Sequence, residues 1–130
     1  EAPANYLMFK WYAASQEREA QLIFGQFDMF ASFDNTGGKE GFSTRLLFEG
    51  PTQCLKKLHC HTSTLFPGAG YKPHIDAYDV AIIVMEGKLE TLEQVVGPHD
   101  VIFYPSGKPH GMSNTGQVTA KYIVFEFHSL

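Results

Sequence analysis

His74, Asp76 and His110 are the residues of this 130-residue chain whose types and spacing could do chemistry together. In an extended strand, residues two apart share a face. His74 and Asp76 can therefore aim an imidazole and a carboxylate at one point, and the turn through Pro105 and Gly107 can deliver His110 from a neighbouring strand. Two imidazoles and one carboxylate on one side of a divalent cation leave adjacent positions open for water, substrate or dioxygen. Such a donor set favours iron(II) and also suits manganese, nickel or zinc.

Side chains so far apart in sequence need a framework of strands to bring them together. After the Asn35–Thr36–Gly37–Gly38 turn, segments rich in Val, Ile, Phe and Thr alternate with Gly and Pro. The pattern predicts strands over 42–48, 54–65, 80–86, 88–94, 100–104 and 118–127. Regular spacing of this kind argues for an antiparallel sandwich or barrel, and no repeated strand-helix-strand unit points to a parallel sheet. The expected fold is all-β, with residues 1–40 as an N-terminal arm and covering segment and 41–130 as the barrel. Lys10 to Phe24 reads as a short helix or an irregular cover. The apolar stretch holding Phe27, Met29 and Phe33 is expected to dock on a sheet or lie across a partner subunit.

Composition narrows the function. The chain is of single-domain length, 44% apolar and 18% charged, as in an ordinary globular domain. Its net charge is −4 and its ten basic residues are dispersed, so no nucleic-acid partner is expected. The longest uncharged apolar stretch, Val80 to Met85, is far below the ~20 residues of a membrane-spanning helix, and no membrane partner is expected. Cys54 and Cys60 read as members of one strand. Their separation there is ~20 Å, beyond disulfide reach, and both read as small packing residues. A reducing, cytoplasmic location fits that usage.

Two segments carry a family resemblance. The first runs from Gly68 through His74, Asp76 and Val80 to Gly87, and the second from His99 through Pro105, Gly107 and His110 to Asn114. They resemble the paired motifs of the cupin superfamily. In its first motif a Gly precedes a His-x-His pair, a Glu and a final Gly. In its second, a leading Gly precedes Pro-x-Gly, His and Asn. Gly68, His74, Gly87, Pro105, Gly107, His110 and Asn114 fall on their places. The resemblance, closest to compact single-domain microbial cupins, covers about residues 55–127 and implies a double-stranded β-helix, or jelly-roll barrel. It departs from the family at three positions: Asp76 replaces the second histidine, Val80 replaces the glutamate, and His99 stands where the leading Gly would be. Asp79 should face away from the site unless a bulge intervenes.

Three readings of the site follow. His74, Asp76 and His110 form a three-ligand metal site; or His61 or another inward residue of the preceding strand completes a different one; or the barrel has lost metal and only binds a ligand. His59 and His61 fall outside the motifs and read as structural or surface residues, as do His99 and His128. The order of His74, Asp76 and His110 also resembles that of 2-oxoglutarate dioxygenases, in which Lys121 would hold the cosubstrate. Tyr78, Tyr104, Met112, Tyr122 and Phe125 are candidate cavity residues, and Arg45 is a candidate carboxylate clamp. Neither Ser106 nor Ser113 sits in a nucleophile elbow.

The functional expectation is a divalent-metal site that binds a small molecule. As an enzyme it would be an oxygenase or isomerase of a small organic acid, phenolic compound or sugar derivative, with Tyr78 or Tyr104 as proton donor. The alternative is a non-catalytic small-molecule-binding or sensor domain. Small cupins commonly pair, so the resemblance also implies a homodimer.

Overall fold

Among the described residues nine strands form, and alternation is clear where one face alone is covered, as in Val101–Tyr104. The computed structural model describes residues 2–12, 23, 25–36 and 38–129. The strands are β1 (Phe42–Gly50), β2 (Lys57–Leu65), β3 (Gly70–His74), β4 (Asp79–Glu86), β5 (Leu89–Thr91), β6 (Gln94–Val96), β7 (Val101–Tyr104), β8 (His110–Ser113) and β9 (Ala120–His128). They form two antiparallel sheets, one in the order β1-β2-β9-β4-β7 and one in the order β3-β8-β5-β6. This is the expected all-β jelly-roll barrel. Its core holds Leu65, Val80, Ile82, Val84, Leu89, Ile102, Tyr104, Met112, Tyr122 and Val124. Among the described residues no helix is long and apolar enough to cross a membrane.

The outer face of the larger sheet is also covered. Cys60, Thr62 and Thr64 of β2 are buried although they alternate with the inward His61 and Ser63. Phe9 rests on Phe125 and Phe127, with ring centroids 4.9 and 6.4 Å apart. Trp11 meets Phe127 at 5.8 Å and Phe27 meets Phe48 at 4.8 Å. Phe33 is buried, and Ser32 Oγ donates to Thr62 Oγ1 at 3.0 Å. The apolar stretch around Phe27 and Phe33 thus docks on the chain's own sheet. Most of the segment read as a helix or cover, residues 13–22 and 24, lies outside the described residues. Cover also sets the chemistry of Cys60, whose thiol is pushed up to about 12 by burial.

Three strand expectations need correction. The first strand read from residue 54 begins at Lys57, because the Thr52 hydroxyl accepts the N–H groups of Cys54 and Leu55 at 3.1 and 2.9 Å and holds them in a turn. Cys54 and Cys60 therefore do not share a strand. The predicted strand 88–94 is instead the hairpin β5–β6, turning at Leu92 and Glu93 with φ of 50° and 60°. Both are left-handed, as a two-residue type I′ turn requires, without the Asn or Gly that signals one. Finally, β3 and β8 lie outside the six predicted strand ranges, although His74 and His110 are expected on strands; Pro73 and Gly111 interrupt the pattern there.

Turn chemistry explains most of the motif positions. Phe66 to Ala69 and Gly97 to Asp100 are tight turns closed by hydrogen bonds of 3.0 Å, each with proline second. Gly68 sits third with φ of 82°, and His99 holds the equivalent place at 73°. His99 thus adopts the glycine backbone without being glycine. Asn114 is fully buried, and its amide donates to Leu65 O at 2.8 Å and Val118 O at 2.9 Å, joining the ends of β2 and β8.

Gly68 and Gly87 share a left-handed backbone but differ in surroundings. A Cβ at Gly68 meets nothing within 4 Å, whereas at Gly87 it lies 2.7 Å from Ala120 Cα. Gly68→Ala should cost ~1–2 kcal/mol of backbone strain. Gly87→Ala should cost at least ~1 kcal/mol more, through overpacking. Urea denaturation midpoints check the order.

Candidate functional site

A cavity of about 350 Å³ opens between the sheets. Its walls include Phe42, Tyr71, Tyr78, Tyr104 and Tyr122, with Val80, Ile82 and Val124 between them. All three expected metal ligands line it.

Strand register explains how they arrive there. His74 of β3 and His110 of β8 are direct cross-strand partners. Between Tyr71, paired with Met112, and His74, the ladder gains one residue on β3. Tyr71 and His74 are three apart and would face opposite sides of a regular strand. The bulge at Lys72 and Pro73 turns both into the cavity. Pro73 suits the bulge because it has no N–H to leave unpaired. Asp76 lies just beyond β3, held by the next turn: Gly107 N–H donates to its carbonyl at 2.8 Å, and Ser106 N–H donates to Asp79 Oδ1 at 2.8 Å. Asp79 therefore fastens the loop, while Val80 fills the wall at the family's glutamate position.

Both imidazoles are oriented by the backbone. His74 Nδ1 lies 3.3 Å from Lys72 O, and His110 Nδ1 lies 3.0 Å from Lys108 O. A carbonyl only accepts, so each Nδ1 carries a proton, and in the neutral ring each Nε2 presents a lone pair. Those Nε2 atoms lie 3.4 and 3.2 Å from Asp76 Oδ2. An imidazolium–carboxylate hydrogen bond is ~2.7–2.9 Å. Donors bound to one ion at ~2.1 Å instead lie roughly 3.0 Å apart at right angles and roughly 3.4 Å at the tetrahedral angle. The spacing fits a shared cation, and one ligand atom from each of the three residues lies within 4.8 Å of the others. Exposure falls from 47% at the His74 side chain to 19% at Asp76 and 4% at His110, so the cluster runs from the mouth inward.

The two tyrosines differ. Tyr104 lies flat on His110, with centroids 4.0 Å apart and planes at 8°. Its hydroxyl reaches Thr91 Oγ1, whose own proton goes to Gly111 O at 2.7 Å, so the phenol donates to Thr91. Tyr104 positions His110 and has no proton to spare for a ligand. Tyr78 lines the cavity with its phenol pushed up to about 12, first by burial and then by the charges of Glu126 and Asp76 and a hydrogen bond to Asp76.

Other expectations are redirected. Phe125 faces outward, against Phe9 and Phe48. Met112 is a core residue outside this cavity. Arg45 is surface-exposed and pairs with Asp34 at 3.8 Å. Lys121 pairs with Glu86 at 3.4 Å on the face away from the cavity, which removes the dioxygenase-like cosubstrate clamp. Besides Phe42, Tyr71, Ile82 and Val124, the cavity is lined by Ser63 and Glu126, none of them read from the sequence as site residues. His61, read as structural or surface with a role in an alternative metal site as the second reading, joins them. Strand alternation alone would have flagged Ser63, Glu126 and His61 once register was known. Ser63 Oγ and Tyr122 OH are buried on directly paired residues of β2 and β9 and have no well-formed hydrogen bond beyond each other among the described residues.

The family profile described as Cupin domain matches residues 61–126. Among curated proteins, none matches the sequence significantly. Among solved structures, the chain resembles the polyketide cyclase RemF from Streptomyces resistomycificus, with 20% identity and a TM-score of 0.63 over 81% of this chain and 80% of that one. It resembles the cupin domain of an XRE family transcriptional regulator from Enterobacter cloacae, with 21% identity and a TM-score of 0.57 over 68% and 98%. An oxalate oxidase in complex with the substrate analogue glycolate shares 18% identity and a TM-score of 0.61 over 78% and 58%.

Tyr104→Phe keeps the ring against His110 and removes one buried hydrogen bond. It should lower stability by ~1 kcal/mol and leave cation affinity unchanged, whereas Tyr104→Ala should weaken both. Denaturation and metal titration on the two variants separate these effects.

Proposed function

The chain belongs to the cupin domain family, and on that premise we propose that it holds a divalent cation on His74, Asp76 and His110 and binds a small oxygen-bearing molecule in the adjoining cavity. The observation that carries the reading is the approach of two Nε2 atoms, each on a ring whose Nδ1 faces a carbonyl, to one carboxylate oxygen at 3.2 and 3.4 Å. Iron(II), manganese, nickel and zinc all suit this donor set. When bound, the ion would supply Lewis-acid polarisation of an oxygen on the molecule.

The chain's own residues supply the rest. Tyr71, Tyr78 and Tyr122 with Phe42 make flat aromatic walls, which favour a phenolic or other planar ligand over a sugar. Val80 and Ile82 keep one wall dry. The hydroxyls of Ser63 and Tyr122, neighbours across the β2–β9 ladder, keep hydrogen-bonding capacity that a polar group of the ligand or a water can meet. Tyr78 keeps its proton at neutral pH and is the group placed to donate it. The reaction class that fits is oxygenation or isomerisation. We further propose that the chain pairs with a second copy through the outer face at edge strand β7, where Val101 and Phe103 are 50% and 53% exposed.

Stripping the protein with a chelator and restoring each metal tests the first proposal. His110→Ala should remove one ion per chain, lowering affinity at least ~100-fold. Tyr78→Phe should keep that ion and lower turnover of phenolic substrates. A stripped protein that binds phenolic ligands as tightly as the loaded one would reduce the barrel to a metal-free binding or sensor domain. Sedimentation across a concentration series should show a dimer, and a monomer at every concentration would remove the pairing.

A further inference from the structure

The same cavity borders a second cluster of donors on the opposite sheet. His59 and His61 lie on β2, and Glu126 lies on β9 opposite His59. One ligand atom from each lies within 4.8 Å of the other two. We propose that His59, His61 and Glu126 hold a second, zinc-like divalent cation, so that the cavity is a two-cation site.

Hydrogen bonding defines what the cluster offers. His59 Nδ1 lies 2.6 Å from Glu49 Oε2, which accepts its proton. His59 Nε2 then bears a lone pair and lies 2.9 Å from His61 Nδ1. Two donors bound at ~2.1 Å to one ion and at right angles to each other are roughly 3.0 Å apart. A cation can take the place of the proton shared between the rings. That proton moves to Nε2 of His61, the ring stays neutral, and the charge balance changes only by the ion. Glu49 keeps His59 in the required tautomer, as a carboxylate behind a metal-bound imidazole does. Glu126 supplies the compensating negative charge, and His128, 2.9 Å from its Oε2, holds it in place.

Position ties this cluster to the first. Glu126 is the direct cross-strand partner of Val80, and both side chains line the cavity. A carboxylate thus returns to the neighbourhood of the family's missing glutamate, from strand β9 instead of β4. Tyr78 feels the charges of both Asp76 and Glu126 and packs against His128, with ring centroids 3.9 Å apart and planes tilted by 33°. A ligand in the cavity would meet one cation on each wall, with the Tyr78 phenol near both carboxylates. That arrangement suits a molecule with two oxygen donors, such as a hydroxylated aromatic acid. This ligand class rests on the reading of the first site, whereas the second cation does not.

Equilibrium dialysis of the chelator-stripped full chain against zinc, read by elemental analysis, counts the ions. The wild type should bind two per chain, His110→Ala one, His61→Asn one, and the double variant none. Circular dichroism confirms folding of each, and Glu126→Gln, nearly the same shape, serves where His61→Asn fails to fold. A wild type that binds one ion, unaffected by His61→Asn and Glu126→Gln, overturns the second site and leaves the first intact. Loss of the His110-dependent ion in Glu126→Gln, with His61→Asn silent, also overturns it by making Glu126 a ligand of the first site. Loss of an ion in His61→Asn but none in His110→Ala upholds the second cation while removing the first.

Discussion

One irregularity in strand pairing governs the site: the bulge at Lys72 and Pro73 on β3, opposite Gly111 on β8. A Cβ at Gly111 would lie 2.9 Å from Pro73 N and 3.0 Å from Tyr71 O. The extra residue can be accommodated only because β8 has no side chain there. With the ladder regular, Tyr71 and His74 would split between the two faces, and the His74–His110 pair could not close on Asp76. The tight turn behind β8 then completes the constraint. It spends two backbone N–H groups on the loop from Asp76 to Asp79, so main-chain bonds fix the backbone that carries the Asp76 carboxylate.

Most of what was legible in the sequence was dictated by local backbone demands. Gly68, Gly87 and Gly107 mark left-handed positions, and His74 and His110 keep fixed offsets from them. Such offsets survive because a turn fixes them within a few residues. His99 shows that the conformation persists even where the residue type does not, which is why the motif could be followed through that substitution. The hairpin at Leu92 and Glu93 was illegible for the converse reason. Its residue types carry no turn preference, and only the pairing of β5 with β6 forces them into left-handed backbone.

The second cluster was illegible for a different reason. His59 and His61 were visible as a pair, but what they face depends on which strand lies beside β2. Glu126 becomes their neighbour only through the β2–β9 register, which joins residues 67 positions apart. Long-range register is set by the whole sheet and by the bulges in β1, β3 and β4, so no local pattern announces it. Tyr104 is the same case in miniature. Its place beside His110 could be guessed from the motif, but the Thr91 hydroxyl that takes its proton comes from a strand read with the wrong length.

Val80 is the most informative departure from the family pattern. A valine there removes one carboxylate from a low-dielectric wall, yet the cavity still contains Asp76 and Glu126. Carboxylates this enclosed are costly unless paired, because burial forfeits hydration that a neutral wall does not return. Each is already flanked by imidazoles: Asp76 by His74 and His110, and Glu126 by His61 and His128. His61 is held to about 4, by burial first and by His59 second, so at neutral pH it brings no compensating charge of its own. In the two-cation proposal, the cations supply the positive charge that a cavity walled by tyrosines and valines does not give these two carboxylates.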